Sequence, residues 1–452
     1  RPTVRKEIRE MSISERNAFF NAFKELNRRG GLNKFPVDHL TYSGDIHGNA
    51  IFLPWHRRYL YDFERALQSV SPGVTIPYWD WTMDAEDPAN SIVFTSQCAG
   101  GNGAGEQKCV SNGPMANYTM DTPRRHCLGR DFNEGNKISA WWPVESVRVM
   151  VAEARTYDDL RQGIEFGQHG NVHLGIQGDM STMHAPNDPL FFMHHAMVDK
   201  IWAVWQRRSR DNLYRYDGNN ADGSAVTLND RMPGLRGDVG SIMDPLSVNN
   251  CVEYTKSLYD RELQTSSPPS EGTAQGRPNS GGANAAPGQV TSPGNNSPSL
   301  ADTLGFPQNG RRMTRRMDPL SPRCESCDLK KGQGYASNTP QPAQPTQADH
   351  YQKFSVPKPI PDWWIERNHL DANAVRRFEE RHVKLLSVLN NLQGYVPLAL
   401  RTVDSALDPL LGVPEDNPVR ALLHEILTFQ KEDDQPLLDT VGDKISVILN
   451  LL

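Results

Sequence analysis

The chain is predicted to be mainly α: a helical, histidine-rich region, a long flexible linker, and a small helical C-terminal domain. Three observations predict this. Apolar residues recur at helical spacing around Pro54 and again after Pro189, while strand-like runs are few and short. Residues 265–300 hold only Val290 and Leu300 as large apolar residues, too few to offset the entropy of ordering them. From about residue 350 helical signals return. The expected boundaries are 1–264, 265–349 and 350–452.

The elements follow in order. Pro54-Trp55-His56-Arg57 leads into RYLYDFERALQSV, with proline just inside the helix start, where its missing N–H costs nothing. Val74-Thr75-Ile76 reads as a short strand. Asn187-Asp188 caps a helix opened by Pro189, LFFMHHAMVDKIWAVWQRR. That helix is apolar nearly all round, so it belongs at the centre of a core. Asp371 caps a helix carrying Val375, Phe378, Leu385, Leu386, Leu389 and Leu392 on one face, stopped by Gly394. Asn417-Pro418 opens another, with Val419, Leu422, Leu423 and Ile426. Leu437, Leu438, Val441, Ile445, Ile448 and Leu452 make a further stripe.

Charge and cysteine content narrow the function. The chain has 452 residues, with 48 Lys+Arg against 54 Asp+Glu, a net charge of −6. Such a balance argues against a generally basic nucleic-acid binder, and no apolar run is long enough to span a membrane. Six cysteines and the glycosylation-like Asn117-Tyr118-Thr119 point to an oxidising, secreted or otherwise extracytoplasmic location.

Histidine carries the chemistry. Of 13 histidines, nine precede residue 200. One group is His39, His47 and His56. The other is His169, His173 and the pair His194-His195. His169 and His173 stand at i and i+4, on one face of a helix and one turn apart, as two ligands of one ion require. A third ligand must come from the buried helix bearing His194-His195. Adjacent helical residues point about 100° apart, so one of that pair is expected to ligate. Two imidazole triads without cysteine or carboxylate suit a pair of like copper, zinc, iron or nickel ions.

The segments HGNAIFLPWHRRYLYDFERAL and HGNVHLGIQGDM…APNDPLFFMHHAMVDKIWAVWQ resemble the two copper signatures of the tyrosinase, catechol oxidase and haemocyanin family. IPYWDWTMD and VRKEIREMSISERNAFFNAF resemble it too, its fungal and bacterial tyrosinases most closely. The likeness covers about residues 3–260. It implies a four-helix-bundle dicopper catalytic domain with two copper ions as cofactors. His39, His47 and His56 would hold one ion; His169, His173 and His195 would hold the other. His194 would then line the substrate pocket. The implied function is a polyphenol oxidase that uses O2 to convert o-diphenols into pigment-forming o-quinones, with hydroxylation of monophenols left open. Its partners would be a phenolic small molecule and O2, with no nucleic acid and no membrane, and the oligomeric state is left open. The alternatives are a haemocyanin-like oxygen carrier and an o-aminophenol oxidase. A bridge between Cys109 and Cys127 is also suggested by the fungal likeness.

Departures from the family pattern matter. Many members carry a cysteine two residues before the second ligand, bonded to that histidine; here Asp45 occupies the place, so no thioether is expected. Glu165 matches a glutamate that orients a proton-accepting water. Its usual partner, an asparagine directly after the first ligand of the second copper, is Gly170 here, with Asn171 one place later. The departure argues against strong monophenol hydroxylation, which gains from a general base. Asp199, one turn after His195, is expected to pair with Arg57, after His56, and so join the two ligand-bearing helices. Residues 350–452 have the makings of a lid, as in relatives made as inactive precursors, with Trp363, Trp364, Phe378 and Phe429 as plugs. Arg311-Arg312 and Arg315-Arg316 would be a processing site.

Overall fold

Capping chemistry sets the first long helix, α1 (Ile13–Arg28). Ser12 accepts the Glu15 N–H, and the Glu15 carboxylate accepts the Ser12 N–H in return. A short helix, α2 (Lys34–Thr41), follows, and then α3 (Phe52–Val70), α4 (Val144–Glu153), α5 (Tyr157–Gly163), α6 (Gly170–Ile176) and α7 (Pro189–Arg207). A π-helical turn, Ile164–His169, fuses α5 to α6. After the linker come α8 (Asp362–Arg367) and α9 (Ala372–Asn391). This computed structural model describes residues 2–256, 353–392, 394–400, 413, 417 and 420. The linker, the Arg311–Arg316 cluster, Cys324 and Cys327, Phe429 and the two last helical stripes lie outside the described residues. The described residues belong to one compact unit.

The helical fold class holds. α3 packs lengthwise on α7, α1 covers α3, and the π turn touches α7. Those helices make the bundle. Its core is aromatic: Tyr59 and Phe63 from α3 meet Phe191 and Phe192 from α7, with Trp55 stacked on Tyr59, all buried. Phe23 of α1 joins them edge-on to Phe63 and Phe192. Burying each such ring contributes about 1.5–3 kcal/mol, so the bundle's rigidity comes from side chains that flank the histidines. α7 is buried along nearly its whole length, as its all-round apolar character requires. Asp188 caps it by accepting the Leu190 N–H, and Arg130 grips the same carboxylate with two buried bonds of 2.7 and 2.9 Å.

Strands are few. Thr3–Arg5 pairs in parallel with Val252–Tyr254 (β1 with β2), which brings the two ends of the histidine-bearing region together. The expected strand at Val74-Thr75-Ile76 does not form. The Ile76 N–H is taken by the Glu64 carboxylate at 2.9 Å instead of a neighbouring strand. The helix bearing His56 also starts earlier than expected, leaving Pro54 as its third residue. Proline there still breaks no intrahelical bond. Cys109 and Cys127 are bridged, as the family likeness suggests, and Cys98 is a buried free thiol.

The C-terminal segment packs on the bundle. Asp371 caps α9 through the Asn373 and Ala374 N–H groups, as expected. Tyr395 and the Leu398 N–H both donate to Glu145 of α4. Phe378 of α9 lies against the π turn at two glycines. A Cβ on Gly167 would stand 2.4 Å from the Phe378 ring, and one on Gly163 2.7 Å from Met150. The contact therefore demands glycine at 167. Gly167→Ala should push α9 away at a cost of about 1–3 kcal/mol. Limited proteolysis should then cut the 353–400 segment faster than in the parent; unchanged cleavage would contradict this packing.

Candidate dinuclear metal centre

Three separate elements deliver the first triad. His39 stands on α2, His47 in the loop before α3, and His56 on the first turns of α3. Each ring is fixed by its Nδ1–H, which donates to a backbone carbonyl: His39 to Met183 at 2.7 Å, His47 to Ser43 at 3.0 Å, His56 to Phe52 at 2.7 Å. A carbonyl only accepts, so the proton sits on Nδ1 and Nε2 keeps its lone pair. The Nε2 atoms of His39 and His56 are buried with no protein partner. One donor atom from each ring lies within 4.8 Å of the others. Burial, aided by neighbouring imidazoles, holds His39 and His56 well below the usual histidine range and takes His47 to about 4. The triad is neutral at physiological pH, the state in which imidazole ligates.

The second group is built on the π turn and α7. His169 ends the turn and His173 follows on α6, their ring centres 4.6 Å apart. His173 Nδ1 donates to the Met180 carbonyl at 2.5 Å, and its Nε2 is buried and unpartnered. His194 and His195 both lie beside this pair, and the four offer donors within 4.8 Å of one another. Both rings of the pair are fully buried with neither nitrogen hydrogen-bonded. They differ in position. His195 stacks on His56 of the first triad at 4.4 Å and stands 5.0 Å from His169. His194 lies on the far side, between His169 and Trp81. Burial lowers the pKa of all four.

The two groups touch. Besides the His56–His195 stack, His47 and His169 are 6.3 Å apart. Buried lone pairs that converge without a partner cost several kcal/mol unless a cation receives them. With four of the rings pre-oriented by carbonyls, the residues fit a pair of metal ions.

Arg57 and Asp199 meet as expected, Nε to Oδ1 at 2.5 Å, joining α3 to α7. Asp199 also accepts the Tyr254 hydroxyl proton at 2.5 Å, and Arg5 stands 3.7 Å away while pairing with Glu64. Among the described residues no carboxylate bonds a histidine of either group; backbone carbonyls orient His39, His47, His56 and His173. Glu165 is buried. It accepts the Gly48 N–H at 2.7 Å and Arg161 at 2.8 Å, and desolvation raises its pKa to about 7 against the pull of Arg161. Gly48 adjoins His47, so its bond to Glu165 ties the loop of the first group to the π turn that carries His169.

Gly170 and Asn171 face the C-terminal segment. A Cβ on Gly170 would stand 3.0 Å from Ile360 and 3.3 Å from the Trp364 indole nitrogen. Asn171 donates to the Lys358 carbonyl at 3.2 Å, away from Glu165. The Trp364 ring lies 5.8 Å from His173 and is 4% exposed, whereas Trp363 is 47% exposed and stacks on Arg367. Of the expected plugs Trp364 reaches the site, Phe378 packs on the π turn, and Trp363 does neither. A cavity of about 470 Å³ remains beside His47, lined by Gly48, Arg161, Phe166, His369 and Leu370 among others.

Paired, buried imidazole groups on a helical bundle define a dinuclear metalloprotein. Residues 21–208 match the common central domain of tyrosinase. The chain is 36% identical over 261 residues to the tyrosinase of Streptomyces glaucescens, an overlap of 51% of this chain and 91% of that one. It is 32% identical over 285 residues to the tyrosinase-like protein phomQ2 of Diaporthe leptostromiformis, 56% of this chain and 73% of that one. A polyphenol oxidase structure from Thermothelomyces thermophila aligns with a TM-score of 0.47 at 23% identity, covering 56% of this chain and 89% of that one. The chain belongs to the tyrosinase family, whose cofactor is a pair of copper ions.

Sequence reasoning missed several participants. The carbonyls of Met183 and Met180, the Gly48 N–H and Arg161 leave no mark in the sequence as site residues. Arg161 had one weak signal, its i, i+4 spacing to Glu165.

Proposed function

We propose that this protein is a tyrosinase-like polyphenol oxidase that oxidises o-diphenols to o-quinones with O2, with its copper site covered by the C-terminal segment. The observation that carries the reading is the pair of adjoining histidine groups, in which His39, His47, His56 and His173 have tethered Nδ1 atoms and the Nε2 atoms of His39, His56, His173 and His195 are buried and unpartnered. In this reading His39, His47 and His56 hold one copper, and His169, His173 and His195 the other. His195 is favoured over His194 because it stacks directly on the first triad. Copper supplies the redox couple that lets dioxygen accept the electrons of the phenol.

The chain does the rest. Carbonyl tethers hold the rings of His39, His47, His56 and His173 in one tautomer and one orientation, so their binding costs little reorganisation. The aromatic walls, Phe52, Phe191 and Trp55, exclude water from the donors. Glu165 is held by Gly48 and Arg161, and each of its oxygens has a lone pair left; it serves to position a water for the phenol's proton. Gly170, directly after His169, has no side chain and the Asn171 amide N–H is engaged by the Lys358 carbonyl, so the side-chain donor that would hold that water from the position after His169 is missing. The balance therefore falls towards diphenols. His194, Gly170 and Asn171 line the substrate pocket once Trp364 withdraws. A quinone product polymerises to pigment, which fits an extracytoplasmic setting. No helix among the described residues is long and apolar enough to cross a membrane.

His173→Ala should lower copper from two to one per chain. Catechol turnover should fall by more than the roughly 10–100-fold that follows loss of a group merely orienting a ligand. Elemental analysis and initial rates check this, with tyrosine and o-aminophenol compared alongside. Retention of two coppers by the variant would refute the assignment.

A further inference from the structure

Outside the paired copper centre, a third set of donors converges. His126 Nε2 lies 2.9 Å from Asp179 Oδ1, and His184 Nε2 lies 3.6 Å from the same oxygen. One donor atom from each of the three lies within 4.8 Å of the others. We propose that His126, Asp179 and His184 form a third metal site, for a divalent first-row transition ion such as zinc.

The hydrogen bonding requires a cation there. His126 Nδ1 is 2.6 Å from the Arg124 carbonyl, so it donates its proton to that oxygen. A neutral His126 then turns the Nε2 lone pair towards a carboxylate oxygen at 2.9 Å, acceptor against acceptor. Only a proton or a metal ion between them relieves the repulsion. Tetrahedral donors about 2.0–2.1 Å from a zinc ion stand about 3.3 Å apart, and the observed 2.9 and 3.6 Å bracket that spacing. Two imidazoles and one carboxylate are a donor set such ions accept, with a fourth position open to water.

The site is also built rather than accidental. Asp179 is buried, and its other oxygen accepts the Gly129 N–H at 2.8 Å while Asn187 donates to Oδ1 at 3.3 Å. Both histidines are partly exposed, which gives the ion a way in. Arg124 and Arg367 are the nearby cations that oppose it. Arg367 is engaged in part by the Ser181 carbonyl at 3.0 Å.

Position gives the site a role. Asp179 and His184 are the two ends of a short strap. Within it, the Met180 carbonyl orients His173 and the Met183 carbonyl orients His39, one histidine from each group. An ion clamping both ends of the strap to His126, next to the Cys109–Cys127 bridge, stiffens the scaffold of both coppers at once.

The test uses the copper-loaded full chain, freed of loose metal and titrated with zinc chloride near neutral pH. Calorimetry and elemental analysis should find one zinc bound beyond the two coppers, and zinc should raise the unfolding temperature. His126→Gln alone, at a partly exposed position, should weaken zinc binding at least tenfold, and the His126→Gln/His184→Gln pair should abolish it while two coppers remain. Should the double variant misfold, the single variant's affinity decides. No zinc bound by the parent chain would mean that a proton alone fills the gap and would overturn the proposal. Equal binding by His126→Gln would overturn it too. Neither result touches the copper count, so the polyphenol oxidase reading stands or falls separately.

Discussion

Trp364→Ala in the copper-loaded 452-residue chain should raise kcat/KM for catechol at least tenfold. Trp364 is 4% exposed, and its ring lies 5.8 Å from His173 and against Gly170. Removing a buried tryptophan side chain costs about 3–5 kcal/mol of packing. Here part of that loss falls on the docked arrangement of the C-terminal segment, which is also anchored on the bundle by the Glu145 bonds, Phe378 at Gly167, the Arg381–Glu153 and Lys358–Glu134 ion pairs and the Asn368–His369 backbone over Gly48. When only the open fraction of molecules admits substrate, apparent affinity scales with that fraction. Even about 1.4 kcal/mol of lost docking multiplies the open fraction tenfold while it remains small. KM should therefore fall more than kcat rises. Should the rate stay at the parent value while the unfolding temperature drops, the segment is a stabilising module and not a cover.

The same segment shows where sequence reading stops. Trp363 and Trp364 are neighbours of equal hydrophobicity, and nothing in DWWIER distinguishes them. The rotation of α8 on its seat turns one to His173 and leaves the other in solvent, and that rotation is set by tertiary contacts. The π turn is a similar case. It inserts its wider turn between α5 and α6 at Ile164–His169, and the sequence IEFGQH carries no mark of it beyond Gly167. By contrast, the histidines were legible because their geometry is local. The i, i+4 step of His169 and His173 needs only a helix, and the apolar girth of α7 announces a central position for His195. The Arg57–Asp199 pair spans 142 residues, yet each member lies one turn or less from a histidine, so family likeness and helical geometry together made it visible. The Met183 carbonyl, reaching His39 across 144 residues, had no such local sign. Backbone groups are identical at every position, so only the fold reveals which of them matter.

Asp199→Ala should destabilise the protein by about 3–5 kcal/mol, because it strands buried positive charge. Arg5, Arg57, Glu64 and Asp199 are each no more than 3% exposed, two cations against two anions. Arg57 Nε gives its bond to Asp199 and Nη1 donates to Gln206 and the Met243 carbonyl, while Nη2 has no hydrogen-bond partner and the guanidinium lies 3.6 Å over the Trp202 ring. Those neutral partners cannot replace the lost charge. Arg5 keeps Glu64 and the Tyr254 hydroxyl, so the excess falls on Arg57. Copper retention should decline alongside stability, since the pair bridges the helices that carry His56 and His195. A double variant, Arg57→Met/Asp199→Leu, removes both charges and should recover at least half of the loss, as hydrophobic replacement of buried ion pairs does elsewhere. Denaturant midpoints with unchanged m-values measure both effects. A single-variant loss within about 1 kcal/mol, the range of exposed pairs, would show that water reaches this cluster and that it does not bind α3 to α7.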